Sequence, residues 1–235
     1  MSTLRATITI AEMQARDLSR RRLAVVMLAA LPLLLYMSIP PGEGWELTPG
    51  AVGLSWSVGG VSLFSALGWR QVDPRLSLAG YDAAAQLLGR LLPLVALGLL
   101  LAAAMTPLLL LRSQPADESA LALAVVLTVL VGGPLGLAIG ALFARELEGM
   151  LALIAVGGIA MSLPPDLAGA PATPLWGPMR LVVTAYEGDG AGVGAPTVHA
   201  LASAALLGAV TWFAWRRRVR VRRPEPLTST EGGRR

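Results

Sequence analysis

Two of the residue types that are absent from the sequence limit its chemistry. None of the 235 residues is cysteine or lysine, so all 19 basic residues are arginines. The absence of cysteine excludes disulfides, thiolate metal sites and a cysteine nucleophile. The absence of lysine excludes Schiff-base chemistry and a Walker A phosphate loop, whose lysine reaches the β- and γ-phosphates. We therefore expect this chain to be no ATPase, and any ATP must be handled by a partner.

Charged residues of both signs are also scarce. They make up 14% of the chain, whereas 54% of the residues are hydrophobic and the mean hydropathy is +0.63. An average soluble domain has about 25% charged residues. The uncharged runs are continuous rather than alternating, which predicts an all-α membrane protein. Six runs are predicted to cross the membrane: 23–39, 47–69, 91–111, 119–144, 149–165 and 190–215.

The arginines predict the orientation of these spans. If both termini are cytoplasmic, 17 of the 19 arginines lie inside and only Arg112 and Arg180 lie outside, in line with the positive-inside rule. The loop 70–90 and the basic tail 216–235 are then cytoplasmic, and the protein is a multi-pass protein of the plasma (inner) membrane. Basic flanks that touch anionic lipid account for the net charge of +4, so we expect no nucleic-acid partner.

Segment 1–22 precedes the first span and has a pattern of its own. Its arginine-led junction with the span is similar to a signal peptide, but no small-residue cleavage site follows, so the span is predicted to stay uncleaved. Apolar residues recur at spacings of four and three, which favours an amphipathic helix in the membrane surface over a solvated helical tail. These residues are Leu4, Ile8, Ala11, Ala15 and Leu18.

Catalytic and metal sites find little support. His199 sits near the start of the sixth predicted span, as in a rhomboid-like protease, but residues 120–144 of the fourth span contain no serine nucleophile. A lone histidine near an interface is more often a polar anchor than a catalyst. The paired carboxylates lack a second ligand type, so no metal site is predicted. These pairs are Glu43 with Glu46, Asp117 with Glu118, and Glu187 with Asp189.

Hydroxyl groups supply most of the polarity of the spans, and no ionisable residue stands at the centre of any span. Ser55, Ser62 and Ser65 share one helix face, so with Thr128 they are candidates to line a pathway for an amphipathic solute. The alternative is that they bond to neighbouring helices or to their own backbone.

Small residues mark the fourth span. Gly132, Gly136 and Gly140 form a smooth face on which another helix can approach closely, and Pro134 is expected to kink the helix. The alternative is a broken helix that binds substrate.

Within the segment 166–197, the piece 166–186 carries three prolines together with Trp176 and Tyr186. It is predicted to form an outer re-entrant or interfacial hairpin rather than a disordered loop.

The loop 70–90 reads RQVDPRLSLAGYDAAAQLLGR. Asp73 and Pro74 are typical of a helix start, and Gly80 is typical of a helix end, which predicts a short helix over Pro74–Ala79. Asp82 then caps a second helix that leads through Arg90 into the third span. A short capped helix between two spans is suited to being contacted by a partner.

This layout resembles the permease subunit of a type-2 ATP-binding-cassette exporter. The shared features are the helix before the first span, six spans with both ends inside, the loop 70–90 and the hairpin before the sixth span. The resemblance covers nearly the whole chain and identifies 1–235 as a single permease domain, with 1–22 as its connecting helix. It also implies that a coupling helix docks on an ATPase subunit through Asp73, Pro74, Arg75, Leu76, Ser77, Leu78, Ala79 and Gly80.

The resemblance implies further partners. A second permease copy, identical or not, would pack against this one around a central pathway. ATP and Mg would be bound by the partner ATPase, and this chain would hold no cofactor. The expected cargo is hydrophobic or amphipathic, such as a drug, a peptide or a lipid. The alternative is a non-transporting membrane protein with the same layout, such as an immunity or assembly factor.

Overall fold

The computed structural model describes residues 2–40, 46–188 and 192–219. Within these ranges every regular element is helical. The α-helices are α1 Thr3–Arg20, α2 Arg22–Met37, α3 Leu47–Gly68, α4 Asp73–Leu78, α5 Ala83–Ser113, α6 Glu118–Leu142, α7 Glu146–Ser162, α8 Trp176–Glu187 and α9 Gly194–Val219, with a 3-10 turn at Ala170–Ala172.

Four of these helices are long and apolar enough to cross a membrane. They are Leu47–Gly68, Ala83–Ser113, Glu118–Leu142 and the stretch Gly194–Arg218. Helices α2 and α7 have 16 and 17 residues, which is about 24–26 Å of helix against about 30 Å of hydrocarbon. The structure thus confirms a helical protein with membrane-spanning character, while six spans and the orientation of the termini stay predictions.

Two arginines that were predicted to be cytoplasmic, Arg70 and Arg218, lie at the same end of the bundle. The Arg70 side chain bonds to carbonyl oxygens at the end of α6, and so does the Arg218 side chain from α9. We call the side that holds α4 and these arginines the inner end, and the opposite side, where α6 begins at Glu118, the outer end. Of the predicted basic tail, residues 216–219 continue α9, and the rest lies outside the described residues.

Helices α3 and α6 form the centre of the bundle. Leu54 and Val58 of α3 are buried in one cluster with Val125 and Val129 of α6. The three glycines predicted to form a smooth face lie against α3. A Cβ atom at Gly136 would stand only 1.9 Å from the carbonyl oxygen of Gly59. Backbone contact between the two helices therefore depends on these glycines.

Helix α6 is continuous from Glu118 to Leu142 with Pro134 inside it. The alternative of a broken, substrate-binding helix is therefore wrong for this span. Proline in a helix of a membrane bundle is tolerated where neighbouring helices satisfy the freed backbone groups, and Pro134 is buried among such neighbours.

Helix α1 lies along the inner end, and the face that it buries there is not the predicted apolar stripe. Its placement in the membrane surface stays a prediction. Leu4 and Ile8 of the predicted stripe are 70% and 51% exposed, as suits a face that touches lipid. The opposite face is buried against the protein, where Ile10 packs on Gly89 of α5. A Cβ atom at Gly89 would come within 2.7 Å of the Ile10 Cβ, so this glycine lets α1 cross α5.

The outer segment 166–197 contains the 3-10 turn and α8. Helix α8 has 12 residues and buries Met179, Leu181 and Val182, and it packs against α6 and α9. The alternative of a disordered loop is wrong for the described part, 166–188 and 192–197. The placement of this segment relative to the membrane stays a prediction.

Asp117 caps α6 at the outer end. Its Oδ1 accepts hydrogen bonds from the Ser119 hydroxyl at 2.6 Å and from the Ser119 and Ala120 amides at 2.9 and 3.0 Å. The Ser119 hydroxyl, followed by the Ala120 amide, lowers the pKa of the Asp117 carboxyl. A carboxyl whose pKa is lower in the folded state contributes stability above its unfolded pKa, and that contribution is lost as the pH falls.

We therefore expect Asp117→Ala to lower the melting temperature in detergent at pH 7, and the difference from the native protein to shrink toward pH 3. Asp117→Asn is the matched control, because asparagine caps helices equally well but does not titrate. It should keep most of the stability at pH 7. A deficit of Asp117→Ala that is the same at both pH values would contradict a role of the ionised carboxylate.

Candidate functional site at the inner end

Two buried charges of opposite sign meet where α4, α5 and α9 come together. The carboxylate of Asp73, the first residue of α4, forms an ion pair with the guanidinium of Arg90, which lies in α5. The second carboxylate oxygen accepts a hydrogen bond of 2.7 Å from the indole Nε1 of Trp215 in α9. Both charged side chains are fully buried, so a single carboxylate connects three helices.

Two indole rings cover the arginine of this pair. The guanidinium carbon of Arg90 lies 4.3 Å from the ring centre of Trp215 and 5.0 Å from that of Trp69, the residue that directly follows α3. Cation–π contacts of this kind strengthen when water is excluded. We call Trp69, Asp73, Arg90 and Trp215 the α4 junction, because together they join α4 to three long helices.

The other end of α4 is tied to α5. The amide nitrogen of Gln86, a buried side chain, donates to the Ser77 hydroxyl at 2.9 Å and to the Tyr81 carbonyl at 3.0 Å. Gly80 takes the left-handed conformation, with φ of 87°, and the Tyr81 amide donates back to the Leu76 carbonyl. This is the glycine-terminated helix end that the sequence predicts. Asp82 also caps α5 as predicted, accepting from the Ala85 amide at 2.6 Å.

The role predicted for Asp73 within α4 is wrong. The residue before the helix is Val72, and the Asp73 side chain makes no capping hydrogen bond because Arg90 and Trp215 take both of its oxygens. The helix therefore begins one residue earlier than predicted and ends at Leu78 instead of Ala79. Instead of capping α4, the Asp73 carboxylate anchors this helix to the bundle.

The remaining residues of the predicted coupling segment divide into two faces. Pro74, Leu76 and Ser77 are half-buried toward the bundle. The exposed residues are Arg75, Leu78, Ala79 and Gly80. Leu78 is 73% exposed, and Arg75 forms no ion pair within the part of the chain that the structure describes. The outward face of α4 thus offers one apolar and one cationic side chain to a partner.

Two more arginines next to the α4 junction bind the end of α6. The Arg70 guanidinium donates to the carbonyls of Gly140, at 3.0 Å, and of Phe143. The Arg218 guanidinium, from the end of α9, donates to the Ala141 carbonyl at 2.6 Å. The last carbonyls of a helix lack partners in the helix and carry partial negative charge, which these cations satisfy. The inner end of α6 is therefore linked to α9 and to the loop before α4.

The hydroxyls proposed to line a pathway are buried within the chain. Ser55 and Ser62 are fully covered, and a Cβ atom at Gly132 would lie 3.3 Å from the Ser55 backbone. Ser65 donates to the Gln14 side chain at 3.0 Å, and Thr128 donates to the carbonyl four residues earlier in its own helix. Their role in substrate passage stays a prediction.

His199 lies at the outer end, far from the α4 junction. Its Nε2 is 2.8 Å from the Pro171 carbonyl, and its ring packs edge-on against Trp176. The interaction fixes the 3-10 turn on α9. Of the predicted carboxylate pairs, Glu43 and Asp189 lie outside the described residues.

The sequence analysis placed Arg90 in the helix that Asp82 caps, but it missed the α4 junction because it treated this arginine only as a cytoplasmic charge. Helix α5 already begins at Ala83, so Arg90 lies inside a 31-residue helix that continues into an apolar span. The signal in the sequence was Arg90 itself. A charged residue inside a continuous helix requires a partner when it is buried. The carboxylate is 17 residues away and the indole 142 residues away, and no local pattern connects them.

Comparison with known proteins adds no family assignment. No protein-family model matches the chain, and a search of the curated proteins finds no significant match.

Proposed function

We propose that this chain is the membrane-spanning subunit of an ATP-driven exporter and that α4 is the helix through which a separate ATPase moves it. The α4 junction carries this proposal. A short helix with an exposed outer face is fixed through Asp73 to α5 and α9, so a force applied to that face is passed to long helices of the bundle. Six spans, cytoplasmic termini and a plasma-membrane location belong to the same proposal.

The mechanism follows from two states of the bundle. ATP-driven closure of a pair of ATPase subunits, which bind ATP and Mg, would displace α4 in each of two permease copies. Because Asp73 holds Arg90 and Trp215, α5 and α9 would move with α4 as a unit. A ligand-driven change of this kind shifts the equilibrium between inward- and outward-facing arrangements. A hydrophobic or amphipathic cargo would then be released on the other side.

Leu78→Asp tests the contact with the ATPase. The substitution places a charge on the exposed apolar side chain of α4, and charges that are not paired at the centre of an interface oppose binding. We expect the ATPase to be lost from the affinity-purified complex, with a decrease of at least about tenfold in the amount of ATPase per permease. ATP hydrolysis by the purified material should fall in parallel.

Leu147→Asp is the matched control. Leu147 is 71% exposed, nearly as much as Leu78, and it lies in the first turn of α7, close to the same end of the bundle. This variant should retain the ATPase. Retention of the ATPase by both variants, or its loss from both, would contradict docking on α4. A protein that purifies with no ATPase at all, and shows no nucleotide-dependent transport in vesicles, would favour the non-transporting alternative.

A further inference from the structure

A cavity of about 300 Å³ lies at the inner end between α1, α2 and α3. Its apolar wall consists of Leu28 from α2 with Val61 and Phe64 from α3. The residues that face this wall from α1 are mainly polar. The cavity therefore has an apolar side and a polar side at the level of the bundle where α1 is expected to meet the membrane surface.

A buried amide on the polar side lacks a partner. Gln14 is fully buried, and its Oε1 accepts a hydrogen bond of 3.0 Å from Ser65. Its Nε2 has no acceptor among the described residues. Buried amide donors are nearly always bonded because desolvation without a hydrogen bond is costly. Gln14 is one of the residues that line the cavity.

Three charged residues line the cavity, two carboxylates and one arginine. Asp17 and Arg21 pair with each other at 3.2 Å across one turn of α1. Glu146, at the start of α7, also lines the cavity and forms no ion pair within the described ranges. Glu146 and Arg21 are both exposed, so a ligand in the cavity can present a cation to Glu146 and an anion to Arg21.

We propose that this cavity binds the headgroup of a bilayer phospholipid with a primary ammonium group, such as phosphatidylethanolamine. The ammonium group would pair with Glu146, the phosphate with Arg21, and an ester carbonyl would accept from the Gln14 amide. The acyl chains would leave along the apolar wall of Leu28 and Phe64. The cavity borders the α4 junction, because Trp69 also lines it, but lipid binding there does not depend on an ATPase partner.

The test is native mass spectrometry of the full chain in detergent, titrated with single phospholipids. We expect the first phosphatidylethanolamine to bind at least about tenfold more tightly than phosphatidylcholine or phosphatidylglycerol. Glu146→Gln should bring the affinity for phosphatidylethanolamine close to that for phosphatidylcholine. Gly68→Phe should abolish the preference, because Gly68 lines the cavity and a Cβ atom there meets nothing within 4 Å.

Two control variants make the same types of substitution at residues that do not line the cavity. Glu148→Gln removes a charge from the same turn of α7 but not from the cavity, and Gly158→Phe fills open space beside α7. Both should keep the native lipid preference. Equal affinity for the three lipids, or a preference that survives Gly68→Phe, would overturn the proposal. Binding of decylammonium with the same dependence on Glu146, without binding of phosphatidylethanolamine, would overturn the phospholipid assignment.

Discussion

Asp73→Ala is expected to lower the free energy of unfolding by about 3–5 kcal/mol. The substitution leaves the Arg90 guanidinium buried without its counter-ion, and the indole Nε1 of Trp215 loses its acceptor. Removing one partner of a buried pair is costly because the remaining charge cannot regain its hydration. Unfolding by dodecyl sulfate in mixed micelles, followed by tryptophan fluorescence, measures the loss.

An exposed ion pair provides the comparison. Arg145 and Glu148 are 3.4 Å apart, and their side chains are 81% and 47% exposed. Glu148→Ala should therefore cost no more than about 0.5 kcal/mol. If Asp73→Ala has an equally small effect, the α4 junction does not hold α4 on the bundle.

A double variant separates stability from coupling. In Asp73→Asn/Arg90→Met the buried charges are gone, while the asparagine carbonyl can still accept from Trp215. Replacing a buried pair by neutral groups is often tolerated, so we expect this variant to recover most of the stability that Asp73→Ala loses. Under the proposed function, its ATP-driven transport should still fall, since α4 and α5 are no longer joined by an ion pair. A stable double variant that transports at the native rate would show that the force travels by another path.

Local chemistry made much of the inner end predictable. The left-handed Gly80 and the cap at Asp82 follow from backbone geometry and from short side-chain oxygens, which act within a few residues. The short helix before α5 was therefore predicted within one residue at each end. The long helices were predictable for a reason that is also local. An uninterrupted run of about 20 apolar residues is long enough to cross the hydrocarbon as a helix.

Contacts between distant segments could not be predicted from a single sequence. The pairing of Asp73 with Trp215 joins residues 142 positions apart, and nothing near Asp73 distinguishes a cap from an anchor. The burial of Gln14 in α1 could not be predicted, because the apolar stripe of this helix marks a different face, which is largely exposed. Its partner Ser65 was instead assigned to a pathway face, since helical spacing shows which residues share a face but not what covers that face.

Gly136→Ala is expected to destabilise the protein by about 3 kcal/mol or more. The new methyl group would stand 1.9 Å from the Gly59 carbonyl oxygen and 2.6 Å from its carbon, where contacts of about 3.3 Å are normal. Backbone atoms cannot rotate away as a side chain can, so α3 and α6 must separate. That separation would open the most closely packed part of the bundle. Thermal unfolding in detergent and the yield of folded protein measure the effect.

The three predicted packing glycines should differ in a defined order. At Gly140 a Cβ atom would meet the Ala66 Cβ at 2.6 Å, and at Gly132 it would meet the Ser55 backbone at 3.3 Å. The loss of stability on alanine substitution should therefore decrease from Gly136 to Gly140 to Gly132. Gly133→Ala is the matched control on the same helix, because its nearest neighbour would be a Leu91 methyl group at 3.6 Å. Alanine favours the helix over glycine by about 1 kcal/mol, so this variant should be at least as stable as the native protein. A Gly136→Ala protein as stable as Gly133→Ala would contradict direct backbone contact between α3 and α6.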